Sequence, residues 1–338
     1  MDADQKTSFR LNRRLFIGGG SSMLASMGLL GSSAIAQDAA KYPEHEVKVV
    51  CAFPPGSGAD VFARYFAENM RPFLGGTMIV ENRVGAGGNI AMNAVARAKP
   101  DGYTILIHAP SSIAANMSLY KDPGYDAEKA FDVLGSVCRL PFTVTVASNS
   151  PHKTLQDLIK AVRAKGDKAS YGTTAPTGQV AGALMKSILK LDAVEVSYRT
   201  AADSVNDLQS GAVDYMMYDP IFAMPFHRAG KLRVLALSSK ERMNSQPDIP
   251  TMNESGVPGV DVVGWWGVAV PKGIPQPIKD KISKAFLQMA ELPSTKKWLA
   301  DFGGDSYVIG PEEAQKLLAQ DVKDWREYIK IANIEPQG

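Results

Sequence analysis

The chain has 338 residues, 45% hydrophobic and 21% charged, a balance that suits a soluble globular protein of about two domains. Its formal net charge of +2 lies in the first 36 residues, where Lys6, Arg10, Arg13 and Arg14 stand against Asp2 and Asp4; taking these four and two from totals of 37 and 35 leaves 33 of each sign. No long basic run remains, which argues against a nucleic-acid surface and against nucleic acid as a partner.

The leader Asn12-Arg13-Arg14-Leu15-Phe16-Ile17 has the twin-arginine export pattern. A Gly- and Ser-rich, mildly apolar stretch follows from Ile17 to Ala34, and Ala34-Ile35-Ala36 is a small-residue cleavage site before Gln37. Glycines and serines make that stretch a poor membrane anchor. Residues 1–36 therefore read as a removed export signal, of twin-arginine type or of the general secretion type with two arginines. Either route ends in the periplasm. Cys51 and Cys138 are the only cysteines. That compartment permits a disulfide, but the mid-strand apolar setting of Cys51 favours two buried free thiols. The four histidines are scattered and no cysteine pattern marks a metal site; no cofactor is expected.

Val47 to Asp60, V-K-V-V-C-A-F-P-P-G-S-G-A-D, is the stretch around which the rest is organised. A nearly continuous β-branched and apolar run predicts a strand buried on both faces. Pro54 and Pro55 end it, and Gly56-Ser57-Gly58 allows a tight turn with free amides. A helix follows with Val61, Phe62, Tyr65, Phe66, Met70 and Phe73 on one stripe. Such a strand, turn and helix N-terminus is either an anion site or a plain βα connection. In the first case Phe53, Pro55, Gly56, Ser57 and Gly58 touch the ligand. Asp60 is either a helix cap or an acceptor for a ligand's donor group.

Met78–Val80 is a second strand, a helix follows Gly85-Ala86-Gly87-Gly88, and Tyr103–Ile107 is a third strand. This β-α-β-α-β series implies a parallel sheet with its loops gathered at the strands' carboxyl ends. Ser111 and Ser112 lie on that rim, while His108 reads as structural. Val133–Ala147 holds two strands broken at Leu140-Pro141, a crossover into a second α/β series. There Thr154 and Asp157 form a capping box, and Thr173, Thr174, Thr177 and Gln179 line a turn before a helix. The turn suits a carboxylate, although a threonine cap alone accounts for one of the three. Arg199 either grips a distal carboxylate or pairs with Asp203. Asp219 ends a strand at the same rim and either orients a neighbour or accepts from a hydroxyl. Val262–Val270, with Trp265 and Trp266, is expected to cross back beside Val144–Val146. Helices carrying Ile278, Ile282, Phe286 and Met289, and Leu317, Leu318, Val322, Trp325 and Ile329, are expected to cover the first domain.

The runs F-P-P-G-S-G-A-D, E-N-R-V-G-A-G-G-N (Glu81 to Asn89) and P-D-G-Y-T (Pro100 to Thr104), in this order and spacing, resemble the solute-binding proteins of tripartite tricarboxylate transporters, the Bug proteins. The resemblance spans nearly the whole mature chain. It implies a type II periplasmic-binding-protein fold, two α/β domains around a central cleft. The expected division is 37–141 plus 249–338 for domain I and 142–248 for domain II. It also implies a monomeric periplasmic receptor that traps a small carboxylate through loop amides, hydroxyls and water, and delivers it to membrane permease subunits. Where the family usually has Y-K-G, this chain has Tyr198-Arg199-Thr200, and its Thr173–Gln179 turn matches the family's Ser/Gly-rich turn loosely.

Two rival readings remain at this stage. One is a cofactor-carrying enzyme exported folded. Against it, Gly56-Ser57-Gly58 lacks the third glycine and the downstream acid of a dinucleotide fingerprint, and no nucleophile stands beside a base. The other is a binding protein that feeds a sensor kinase. Dicarboxylates, tricarboxylates, aromatic acids and uncharged amides all remain open as ligands.

Overall fold

The computed structural model describes residues 41–338 and, at positions 110 and 111, the backbone alone. The twin-arginine pattern and the cleavage site lie outside these residues. Strand β1 (Val47–Cys51) is buried at every position but Lys48, as a strand covered on both faces must be. Beyond Pro54-Pro55, Gly56 takes a φ of +78°, which a side chain would resist. The turn then enters helix α1 (Gly58–Leu74), where the Ser57 hydroxyl accepts from the Asp60 amide at 3.3 Å. Phe62, Phe66 and Met70 carry the buried stripe, while Val61, counted on that stripe from spacing, is 37% exposed. Strand β2 (Met78–Asn82), helix α2 (Asn89–Ala96), strand β3 (Thr104–His108) and helix α3 (Pro110–Leu119) complete the first series. Both β2 and β3 pair with β1 in parallel, as the sequence predicts.

After a short helix α4 (Ala127–Ala130), strand β4 (Phe131–Pro141) runs almost directly into β5 (Thr143–Ala147). The second series follows: α5 (Leu155–Lys165), β6 (Ser170–Thr173), α6 (Pro176–Leu189), β7 (Val194–Ser197), α7 (Ala201–Ser210), β8 (Tyr215–Tyr218), α8 (Pro220–Arg228) and β9 (Leu232–Leu237). The chain closes with β10 (Val263–Pro271), α9 (Gln276–Glu291), α10 (Pro293–Asp301), β11 (Asp305–Ile309) and α11 (Pro311–Ile331). The Thr154–Asp157 capping box is present at the head of α5.

The strands form two sheets, one ordered β11-β4-β10-β3-β1-β2 and the other β7-β6-β8-β5-β9. Phe142 is the residue between β4 and β5, where the chain passes from one sheet to the other. Its amide donates to the Ser238 hydroxyl at 2.8 Å, and its carbonyl accepts from the Ser238 amide at 2.8 Å. The Ser238 hydroxyl in turn donates to the Val262 carbonyl at 2.5 Å. One buried serine thus fastens the outgoing and returning crossovers together.

One expectation fails here. β10 does not lie beside Val144–Val146; it pairs antiparallel with β3 and with the whole of β4, in the first sheet. The hydrophobic run of Val262–Val270 is right for a buried strand, but periodicity carries no information about which partner it takes.

Ile278, Ile282, Phe286 and Met289 bury one face of α9, and Leu318, Val322, Trp325 and Ile329 one face of α11. Helix α11 packs on α3 and β4, and also on α6 of the second series, where the Ser187 hydroxyl donates to the Ile331 carbonyl at 2.7 Å. A continuous core accordingly includes Val50, Leu106 and Val133 from one sheet and Val144, Tyr171 and Met217 from the other. Cys51 and Cys138 are free and buried. Burial raises both thiols, that of Cys51 to about 11.

Candidate functional site

Where the carboxyl ends of β1, β3, β6, β7 and β8 meet, a cavity of about 170 Å³ opens. That is ample for a small acid when a single water needs only about 10–15 Å³ by the same measure. The N-termini of α1, α3, α6, α7 and α8 all contribute wall residues: Gly58 and Ala59, Ala109 and Ser112, Ala175 and Thr177, Thr200 to Ala202, and Asp219 to Phe222. Each helix start brings the positive end of its dipole, and those of α1, α6 and α7 also bring unpaired amides; α3 and α8 begin with Pro110 and Pro220, and the Phe222 amide is taken by Asp219. Among the described residues, the amides of Gly58, Ala59, Thr177, Gly178, Ala201 and Ala202 meet no acceptor in the protein. Free amides of this kind at helix starts are suited to an anion's oxygens.

The walls between these helix ends are apolar. Phe53, Pro54, Leu140, Phe142, Ile221 and Trp266 line them. Charge is sparse: Arg199 is the one basic wall residue and Asp219 the one acidic wall residue among those described. Arg199 is exposed and forms no ion pair with Asp203, its expected alternative partner; the Asp203 amide donates to the Thr200 hydroxyl at 3.3 Å.

Asp219 caps α8, accepting from the Phe222 amide at 3.0 Å. Burial pushes its carboxyl up to about 6, against the pull of backbone amides. Below that pH the group is protonated, and the wall loses its negative charge. A Cβ placed on Gly58 would lie 2.5 Å from the Asp219 Oδ1 and 3.1 Å from the Ile221 Cβ. The bare glycine is thus what lets the second series approach the head of α1 so closely.

Of the residues singled out from sequence, Phe53, Pro55, Gly56, Ser57, Gly58, Ser112, Thr174, Thr177, Arg199 and Asp219 all line this cavity. Ser111 lies in α3, its side chain outside the described residues. The others are placed differently. Asp60 sits beneath the turn, 3% exposed. Its carboxylate accepts from the Gly56 amide at 2.9 Å, Arg64 Nε at 2.9 Å and Asn82 Nδ2 at 2.8 Å. Burial alone would raise its pKa, yet the hydrogen bonds from Arg64, Gly56 and Asn82 hold it below the usual value. It braces the turn and offers no acceptor to a ligand. The Gly56 amide is therefore also spent, and that of Ser57 donates to the Pro54 carbonyl at 3.1 Å; of the three amides expected to be free, only that of Gly58 is.

Thr173 is 2% exposed, and its hydroxyl donates to Glu195 Oε1 at 3.1 Å. It faces, with Gln179, a second cavity of about 260 Å³ beyond Phe53 and Thr174, bordered by Gly85, Gly87 and Gly88. So two of the three threonines reach the main cavity. The tryptophan pair divides as alternation along a strand requires. Trp265 donates to Asp321 Oδ2 at 2.7 Å, away from the cavity, while Trp266 lines it and packs on Phe62 with ring centres 5.0 Å apart.

Sequence reasoning passed over Leu140, Phe142, Thr200, Ala201, Ala202 and Ile221, and it set His108 aside as structural. The helix-start residues carried a usable signal, since Thr200 and Asp219 are N-cap types ahead of an apolar-periodic run. The crossover residues carried none, because an apolar strand end looks the same whether it faces core or cleft.

A family model described as the tripartite tricarboxylate transporter family receptor matches residues 62–334. Among solved structures, the chain is similar to the periplasmic binding protein BugD, at 34% identity and a TM-score of 0.81, covering 88% of this chain and 100% of that one. It is similar to R. palustris Rpa4515 with adipate, at 28% identity and a TM-score of 0.82 with the same coverage. It is also similar to MatC from Rhodopseudomonas palustris with bound malate, at 27% identity and a TM-score of 0.79, covering 85% of this chain and 100% of that one.

Proposed function

Since the chain belongs to the tripartite tricarboxylate transporter receptor family, we propose that it captures a small carboxylate, foremost a dicarboxylate, and hands it to the membrane permease of such a transporter. As a member of that family it is a periplasmic solute-binding receptor. The observation that carries the finer reading is the convergence of helix N-termini with acceptor-free amides on one apolar-walled cavity. Amides and dipole ends hold an anion without burying a counter-charge, so the ligand pays less in desolvation on entry and leaves readily for the permease. Arg199 offers a fork for a second carboxylate. The relatives bound to adipate and malate support a diacid of four to six carbons.

On this reading the two sheets serve as two lobes, divided near 141/142 and 248/249, that close on the ligand at the Phe142–Ser238 fastening. Residues 1–36 serve as the export signal, and the mature chain acts as a monomer. A thermal-shift screen over mono-, di- and tricarboxylates tests the central part. A true ligand at a hundred times its Kd adds about 2.7 kcal/mol, which at roughly 2–4 °C per kcal/mol raises the Tm by about 5–10 °C. A screen in which no carboxylate moves the Tm overturns the reading.

A further inference from the structure

His108 ends β3 and lines the cavity floor, 2% exposed. Its ring sits between Phe53, with centres 5.5 Å apart, and Trp266, edge-on at 5.6 Å. Nδ1 and Nε2 are both buried, and among the described residues neither has a hydrogen-bond partner. Buried polar groups are almost always paired, so an imidazole orphaned on both sides at a cavity wall calls for a partner from outside the chain. Nothing in the fold needs the polarity: a phenyl ring would fill the same slot between the same two rings.

The kind of partner follows from the ring's surroundings. Burial lowers the pKa of His108 to about 4, so at neutral pH it is uncharged, with one N–H donor and one lone pair. Bringing a carboxylate to that aromatic slot would bury a charge with no counter-charge, which is costly. Carboxylates already have a better place at the helix ends and Arg199. A hydroxyl suits His108 instead, since it can accept from the N–H or donate to the bare nitrogen and carries no charge.

We propose that His108 is a specificity residue that reads a hydroxyl on the ligand's carbon chain, making the natural substrate class hydroxylated diacids. This rests on the carboxylate reading above and deepens it. Plain diacids would still enter and still occupy the helix ends, but would leave both imidazole nitrogens unpaired.

The test is calorimetry on the wild type, His108→Phe and His108→Asn with two matched pairs, malate against succinate and 3-hydroxyadipate against adipate. The quantity read is the ratio of the two Kd values within one preparation, which is insensitive to the fraction of folded protein. In the wild type, the hydroxy acid of the better-bound pair should be favoured about tenfold or more. In His108→Phe the ratio should fall to near one, mainly through weaker binding of the hydroxy acid, and His108→Asn should restore part of it. Equal affinities within each pair in the wild type overturn the proposal while leaving the receptor reading intact. So does a wild-type preference that persists unchanged in His108→Phe. Failure of all four acids to bind the wild type removes the carboxylate reading and this one with it.

Discussion

Gly58→Val is expected to weaken binding of every carboxylate ligand by roughly thirtyfold to a thousandfold, and to leave the ligand-free protein folded. The Cβ alone would lie 2.5 Å from the Asp219 Oδ1 and 3.2 Å from its Cγ. Asp219 cannot swing aside freely, because the same oxygen accepts from the Phe222 amide and caps α8. Giving up such a cap costs about 0.5–2 kcal/mol, and overpacking a close contact adds about 1–3 kcal/mol. If the second series instead withdraws from α1, the helix ends no longer converge on one anion. A total of about 2–4 kcal/mol corresponds to the stated range of affinity. The second-site variant Asp219→Ala supplies the control. It removes the obstructing oxygen, so the double variant should bind more tightly than the sum of the two single losses implies. Strictly additive losses would mean that the contact between Gly58 and Asp219 is incidental.

Arg199→Ala should cost a diacid about tenfold to a hundredfold while changing a matched monoacid less than about threefold, because hydrogen bonds to charged groups contribute about 1.5–3 kcal/mol. Solvent exposure of this wall position holds the effect toward the low end. Arg199→Lys should recover only part of the loss, since an ammonium keeps the charge without the planar fork. Raising the salt concentration should narrow the gap between wild type and Arg199→Ala, as screening weakens an exposed charge most. Calorimetry with succinate and butyrate measures both halves of the prediction. Equal losses for the two acids would assign Arg199 to supporting its loop, and a different wall group would then have to face the second carboxylate.

Much of this site was legible in the residues, for reasons that differ along the chain. The first turn announces itself because two prolines, two glycines and an N-cap serine leave few backbone paths. The helix-start hydroxyls and acids behave likewise, as local capping chemistry fixes Ser57, Thr154 and Thr200 without reference to the rest of the fold. What failed was information held between distant residues. Thr173 resembles Thr174 and Thr177 in the sequence, but a glutamate 22 positions away takes its hydroxyl. Asp60 could have faced a ligand until Asn82, at the end of β2, closed over it. The partner of Val263–Pro271 was invisible for the same reason: an apolar strand fits any buried slot, and its register against β4 is set by the whole sheet. His108 looked structural because no catalytic neighbour accompanies it; only its place between Phe53 and Trp266, with both nitrogens unpaired, marks it out.

The claim on which all of this depends is that helix ends and free amides, with one arginine, recognise carboxylate charge in this cavity. Isothermal titration of residues 37–338 with adipate and malate, each set against its uncharged diamide, tests it most directly. At least one diacid should bind saturably with one site per chain, and its diamide at least about a hundredfold more weakly, since each carboxylate at a partly buried helix N-terminus gains up to about 2 kcal/mol that an amide does not. Diamides that bind as tightly as the acids would contradict the claim, and the cavity would then have to be read as a site for neutral amides.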